Sequence, residues 1–124
     1  MIKEIIYSEE INTVVITYQG QTPPEEVQEV LQKAYILAVE KNCKNFLVDC
    51  SLVQPGGGST LDVYDLARMF EEFPDIRKYK DAIILPPIPA GAEDLKFFET
   101  AARNRGFNVR VFTERQAAID WLME

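Results

Sequence analysis

The apolar residues of the chain follow two spacings, one typical of strands and one typical of helices. Short runs of β-branched and aromatic residues predict five strands, at residues 3–7, 13–18, 45–49, 81–85 and 107–112. Stretches with an apolar residue every three or four positions predict four helices, at residues 22–42, 59–74, 93–105 and 113–122. The predicted order of elements is therefore β-β-α-β-α-β-α-β-α.

This order predicts the α/β fold class. Strands that alternate with helices form a mostly parallel sheet joined by right-handed crossovers. The first two strands are separated only by a short polar turn, which predicts an antiparallel N-terminal hairpin at the edge of the sheet. A chain of 124 residues has the usual size of one domain, so we expect a single domain over residues 1–124.

Residues with strong capping preferences mark the ends of the predicted helices. Thr22 with Glu25, and Thr113 with Gln116, have the spacing of a capping box. Gly106 fits the left-handed position that follows a helix C-terminus. The prolines between residues 86 and 91 predict a rigid apolar loop, after which a helix begins at Glu93.

Charge and hydropathy restrict the possible partners and location. The formal net charge of −7 argues against binding to nucleic acid or to an anionic membrane surface, because both need clustered lysine and arginine. No apolar run approaches the roughly 20 residues that cross a bilayer. The N-terminus lacks a basic segment followed by an apolar one, so we expect no signal peptide and a cytoplasmic protein.

The chain contains no histidine, which excludes catalytic dyads and triads that use a histidine base. Cys43 and Cys50 are predicted to lie on the order of 20 Å apart along a strand, too far for a disulfide. Two thiols do not complete a zinc site. The sequence therefore predicts no catalytic residue, no metal and no cofactor, although a lysine base such as Lys80 stays open.

Two loops follow predicted strands and are the candidate binding segments. The first contains Gly56, Gly57, Gly58, Ser59 and Thr60. Its glycines allow close approach of a ligand, and the amides that open the next helix favour an anion. The simpler alternative is a flexible connector with an ordinary helix cap.

The second candidate segment contains Pro86, Pro87 and Ile88. It follows the fourth predicted strand, so it should lie at the same edge of the sheet as the glycine-rich loop. A rigid apolar loop of this kind suits a protein partner or an acyl chain. The alternative is a stiff connection that packs on its own domain. Asp49 lies near the glycine-rich loop in sequence. It could orient loop amides or a ligand, or it could accept local backbone hydrogen bonds.

Two stretches of the chain resemble the STAS domains of SpoIIAA-like proteins, the anti-sigma-factor antagonist group. Residues 46–53, a loop, and residues 59–61 are similar to the strand, loop and helix start of that family. Residues 97–112, followed by Ala117, Ala118, Trp121 and Leu122, look like the C-terminal stretch of uncharacterised SpoIIAA-like proteins. The resemblance implies a bacterial regulatory domain with the SpoIIAA-like (STAS) fold.

The resemblance also implies a role for Ser59. In anti-sigma-factor antagonists the loop reads Asp-Ser-Ser-Gly, and a partner kinase phosphorylates its second serine. Ser59 occupies that position here, but Gly57 replaces the aspartate and Thr60 replaces the glycine. Ser59 is therefore the candidate phospho-acceptor.

We expect a protein that is not an enzyme, with two alternative functions. The first is a regulatory or protein-interaction domain controlled at Ser59, with a protein partner. The second is a binding protein for a small anion or a lipid-like acid that uses both loops. The exposed edge strand of the hairpin also allows a homodimer.

Overall fold

A computed structural model describes residues 2–21, 24–54 and 63–124 of the chain. Its strands are β1 (Ile2–Ser8), β2 (Thr13–Gly20), β3 (Asn45–Val53), β4 (Lys80–Ile84) and β5 (Asn108–Phe112). Its helices are α1 (Pro24–Glu40), α2 (Val63–Glu71), α3 (Pro89–Asn104) and α4 (Arg115–Leu122), with a short 3-10 turn at Ile76–Lys78. The predicted α/β class and order of elements are confirmed.

The five strands form one mixed sheet in the order β1-β2-β3-β4-β5. β1 pairs with β2 in antiparallel fashion, and the other neighbouring strands are parallel, as the sequence predicted. From β2 to β5, each helix connects one strand to the next strand along the sheet, always toward the same edge. Because such connections are right-handed, α1, α2 and α3 lie on the same face of the sheet. At the far edge, the backbone N–H of Val111 donates to the Glu99 carboxylate at 2.8 Å.

The alternation of side chains along the strands divides the core between the two faces of the sheet. The larger core lies under α1, α2 and α3 and includes Ile16, Phe46, Ile83, Phe98 and Val109. The smaller core lies under α4 and includes the buried residues Val15, Leu47, Ala82, Ile84, Ala118, Trp121 and Leu122. The sheet is thus covered by three helices on one face and by one on the other.

Lys80 of β4 holds α4 on the sheet through hydrogen bonds to the end of that helix. Its ammonium donates to the carbonyl oxygen of Trp121 at 3.0 Å and to that of Glu124 at 3.3 Å. These carbonyls lie at the end of α4, where cations complement the helix dipole. The Lys80 ammonium and the Arg110 guanidinium also lie 5.4 and 5.6 Å from the centre of the Trp121 ring. Lys80 therefore has a structural role.

Two helices end on residues with left-handed backbone. Gly106 has a φ of 86°, and the N–H groups of Gly106 and Phe107 donate to the carbonyls of Arg103 and Ala102 at 3.0 Å each. This pair of bonds is the Schellman motif, so the predicted role of Gly106 is confirmed. Asn42, with a φ of 52°, ends α1 in the same way, because the N–H of Cys43 donates to the carbonyl of Ala38 at 2.8 Å.

Gly106→Ala is expected to lower the free energy of unfolding by about 1 kcal/mol, because a side chain disfavours left-handed backbone. A Cβ at this position would also lie 3.3 Å from Nε of Arg77. Urea unfolding measures the change. Asn42→Gly is the matched substitution at the other helix end and should leave the protein equally stable or more stable. If Gly106→Ala left the free energy of unfolding unchanged, the role of Gly106 at the end of α3 would be wrong.

Three predicted boundaries are wrong. α3 begins at Pro89 rather than Glu93, since proline has the φ of a first helical turn and needs no N–H there. Thr113 does not cap α4, whose N-cap is Glu114 and has no side-chain capping bond. β3 continues to Val53 rather than ending at Asp49, because parallel pairing with β2 extends to the Gly20–Val53 pair.

None of the helices in the described parts of the chain combines the length and the apolar character that a membrane crossing requires.

Candidate functional site

A cavity of about 260 Å³ lies between the sheet and the three helices α1, α2 and α3. Its walls are formed by apolar side chains from all three helices and from strands β2, β3 and β4. The described residues that line it are Ile16, Tyr18, Val27, Leu31, Val48, Cys50, Val53, Leu66, Phe70, Asp81, Ile83, Pro86, Gly91, Leu95 and Phe98. Among the residues that the structure describes, the larger core therefore leaves an open space beside the sheet.

One end of the cavity lies at the carboxyl ends of the parallel strands. Val53, at the end of β3, and Pro86, just after β4, line this end together with Gly91 in the first turn of α3. Gly91 packs so closely on Pro86 that a Cβ would lie 3.2 Å from the proline Cγ. Open α/β sheets bind their ligands at this edge, so we identify this end as the entrance.

The opposite end contains one carboxyl group. Asp81 is the second residue of β4 and pairs with Phe46 of β3 and Val109 of β5. Its side chain is 6% exposed, and its Oδ1 has no hydrogen-bond partner among the residues that the structure describes. Desolvation raises the pKa of Asp81 to about 7 from the usual 3.8, because burial penalises the charged form.

Tyr18 and Cys50 are the other polar groups of the cavity wall. Desolvation, together with the negative charges of Asp49 and Asp81, raises the pKa of the Cys50 thiol to about 12. Desolvation also raises the pKa of the Tyr18 hydroxyl, and the negative charges of Cys50, Asp81 and Glu26 raise it further. Both groups thus keep their protons at neutral pH, and a protonated thiol is a poor nucleophile.

Three polar groups interrupt the apolar lining that the structure describes, namely the Asp81 carboxyl, the Tyr18 hydroxyl and the Cys50 thiol. The rest of the described lining is apolar, the thiol is protonated, and Asp81 lies near the start of β4. Within residues 2–21, 24–54 and 63–124, no three histidine, cysteine or acidic side chains come together to hold a metal ion. What the cavity can do chemically is exclude water from a small apolar molecule and offer it one hydrogen-bonding group at depth.

Of the two predicted binding segments, the structure describes the proline segment but not the glycine-rich loop. Gly56, Gly57, Gly58, Ser59 and Thr60 lie outside the described residues. Thr22, predicted as a helix cap, lies outside them as well.

In the proline segment, Pro86 is buried and lines the cavity, whereas Pro87 is exposed and Ile88 is half-buried as the N-cap of α3. Only Pro86 of the three contacts the cavity.

Asp49 lies on the other face of the sheet from the cavity. Its Oδ1 accepts from the backbone N–H of Ser51 at 2.9 Å, and its Oδ2 accepts from Arg115 of α4 at 3.0 Å. The bond from Ser51 is local, as the simpler alternative had it, whereas the bond from Arg115 joins side chains 66 residues apart in sequence. Asp49 therefore holds α4 on the sheet and does not line the candidate site.

Sequence reasoning missed Asp81 as a site residue and treated it as the start of a strand. The available signal was a charged residue at the head of the apolar run Ala82 to Leu85. Buried parallel strands are apolar on both faces, so an acid within one is a polar group that burial makes costly.

Comparison with known proteins gave no matching family model, no similar curated protein and no similar solved structure.

Proposed function

We propose that this protein binds a small, mostly apolar molecule in the cavity between the sheet and helices α1, α2 and α3, without chemical conversion. The observation that supports the proposal is the cavity itself, with a volume of about 260 Å³ and an apolar wall. An unfilled cavity destabilises a protein in proportion to its volume. A ligand that fills it stabilises the folded state and thereby gains affinity.

The size of the cavity indicates the size of the ligand. An apolar cavity of about 150 Å³ accommodates benzene, which has six heavy atoms. By proportion, a cavity of about 260 Å³ accommodates roughly ten heavy atoms. The expected ligand is therefore a medium-length alkyl chain or a small ring system rather than a full phospholipid.

The entrance fits the alternative function predicted from the sequence, in which the proline loop lines an apolar pocket. Pro86 supplies one wall of the entrance, and a proline loses little conformational entropy when it is held in place. The part of the glycine-rich loop in binding an anionic group remains a proposal that rests on the sequence alone.

The regulatory function remains a second proposal, and it also rests on sequence. It comprises a SpoIIAA-like (STAS) fold, phosphorylation of Ser59, a protein partner for the loop, and a second copy of the chain at the edge strand β1. Ile6 of β1 is 45% exposed, and Ile36 and Phe97 are 61% and 54% exposed, but these side chains do not indicate which partner would cover them. We therefore rank this proposal after ligand binding.

Leu95→Trp is expected to fill the cavity and to weaken binding of 1-octanol by about tenfold or more, since the larger side chain occupies the ligand volume. Methyl NMR titration, read at Ile16, Leu31 and Ile83, measures the dissociation constant. Lys96→Trp adds the same group at an exposed position of the same helix and should leave binding unchanged. Binding that survives Leu95→Trp would place the ligand elsewhere.

A further inference from the structure

We propose that Asp81 selects the ligand of the cavity, and that the ligand is an apolar molecule ending in a hydrogen-bond donor, a hydroxyl or an amine. This inference rests on the proposed binding function and adds the chemical class of the ligand. The juxtaposition that carries it is a buried carboxylate oxygen without a partner at one end of an otherwise apolar cavity.

A buried carboxylate oxygen that has no partner is unfavourable in the folded protein. Oδ1 of Asp81 has no such partner among the described residues, and the side chain is 6% exposed. A carboxylate oxygen accepts hydrogen bonds, and Asp81 lines the cavity of about 260 Å³. A ligand that brings a donor to this point satisfies the oxygen, whereas a purely apolar ligand leaves it unsatisfied.

The surroundings of Asp81 disfavour an acidic ligand at this end. Tyr18 of β2 and Cys50 of β3 line the same cavity, and the negative charges of Asp81 and Glu26 already act on the Tyr18 hydroxyl. The described lining contains no lysine or arginine, so nothing there would neutralise a second carboxylate. Like charges at close range in a dry site repel strongly. The lipid-like acid predicted from the sequence is therefore not the class that this end selects.

The position of Asp81 also sets the orientation of the ligand. Asp81 lies near the start of β4, whereas Pro86 and Gly91 lie at the carboxyl ends of the strands. A bound molecule would enter with its donor first and leave its apolar end beside Leu95 and Pro86. The apolar tail would lie against the apolar part of the described wall, and the donor would lie beside Oδ1 of Asp81.

A small cavity of about 30 Å³ on the other side of Asp81 offers a competing explanation. It is lined by Tyr35, Phe46, Tyr79 and Asp81 among others, and its volume is enough for roughly two water molecules. Water there would satisfy the carboxylate without any ligand. The large cavity would then bind ligands with and without a donor equally well. The experiment therefore compares these two kinds of ligand.

Four probes of nearly equal size test the inference, namely 1-octanol, octylamine, octanoate and 1-methoxyheptane. The last has the same number of heavy atoms as 1-octanol and no donor. Methyl NMR titration at pH 8 gives a dissociation constant for each. We expect 1-octanol and octylamine to bind at least about tenfold more tightly than 1-methoxyheptane, because a hydrogen bond to a charged group contributes that much.

Asp81→Leu removes the acceptor and should abolish this preference, so that 1-octanol and 1-methoxyheptane bind equally. Asp81→Asn keeps the shape and a neutral acceptor, and should weaken octylamine more than 1-octanol. Asp49→Asn, on the other face of the sheet, is the control and should keep the preference intact.

Equal binding of 1-octanol and 1-methoxyheptane to the unmodified protein would overturn the inference and leave the binding function standing. Tightest binding of octanoate would also overturn it. If none of the four probes shifts the cavity methyl groups, the binding function itself fails.

Discussion

Asp81→Leu is expected to stabilise the protein at pH 8 by a few kcal/mol and to remove most of the pH dependence of its stability between pH 4 and pH 7. Burial raises the pKa of Asp81 to about 7 from 3.8, and each pKa unit corresponds to about 1.4 kcal/mol. A buried carboxylate without a partner is costly, and an apolar side chain at this site has no such cost.

The direction of the pH effect follows from proton binding. Between pH 4 and pH 7 the unfolded chain has lost the Asp81 proton, whereas the folded protein still holds it. The folded state binds more protons in this window, so the free energy of unfolding falls as the pH rises and becomes level above pH 7. Above pH 9 the Cys50 thiol, with its pKa raised to about 12, adds a further fall.

Urea unfolding at pH 5 and at pH 8 tests the expectation. The unmodified protein should be more stable at pH 5, and Asp81→Leu should have nearly equal stability at both values. Asp94→Leu replaces an exposed acid on α3 and should retain the pH dependence of the unmodified protein. An Asp81→Leu variant with the same pH dependence as the unmodified protein would contradict the raised pKa of Asp81.

Phe98→Ala is expected to lower the free energy of unfolding by about 3–5 kcal/mol, the usual loss for truncating a buried phenylalanine. Phe98 of α3 is 0% exposed, and its ring makes an edge-to-face contact with Phe70 of α2 at 5.5 Å between ring centres. It also lines the cavity, so its removal enlarges a space that the fold already tolerates.

Phe97→Ala is a close control, because Phe97 is the adjacent residue of the same helix and is 54% exposed. It should change the free energy of unfolding by less than about 1 kcal/mol. Chemical denaturation of both variants gives the comparison. If both variants lost a similar amount of unfolding free energy, the contact between Phe70 and Phe98 would not be what holds α3 on the sheet.

The order of elements could be predicted because it depends on local signals. The apolar alternation of β2 and the helical spacing of α1 are each readable within a few residues, and Gly106 marks a helix end by its backbone preference. The errors arose where two local signals compete. Pro89 suits a loop and also a first helical turn, so its local preference does not decide between them, and the structure places it in the helix.

The candidate site could be predicted only in part. Pro86 was identified because strand ends meet at one edge of a parallel sheet. Asp81 was not, because its importance depends on a space that residues distant in sequence leave open, such as Leu31 of α1 and Leu95 of α3. A cavity is a property of how side chains fit together, and the hydrophobic pattern specifies which residues are inside but not how completely they fill the interior.

The strand order has a consequence for how the chain folds. Every strand of the sheet pairs with its neighbours in sequence, so no pairing has to wait for a distant part of the chain. Short chain closures have low entropic cost and favour fast folding. During synthesis, the hairpin, α1 and β3 can associate before β5 has left the ribosome. Helix α4 comes last, and until it docks, Leu47, Ala82 and Ile84 remain open to solvent and to aggregation.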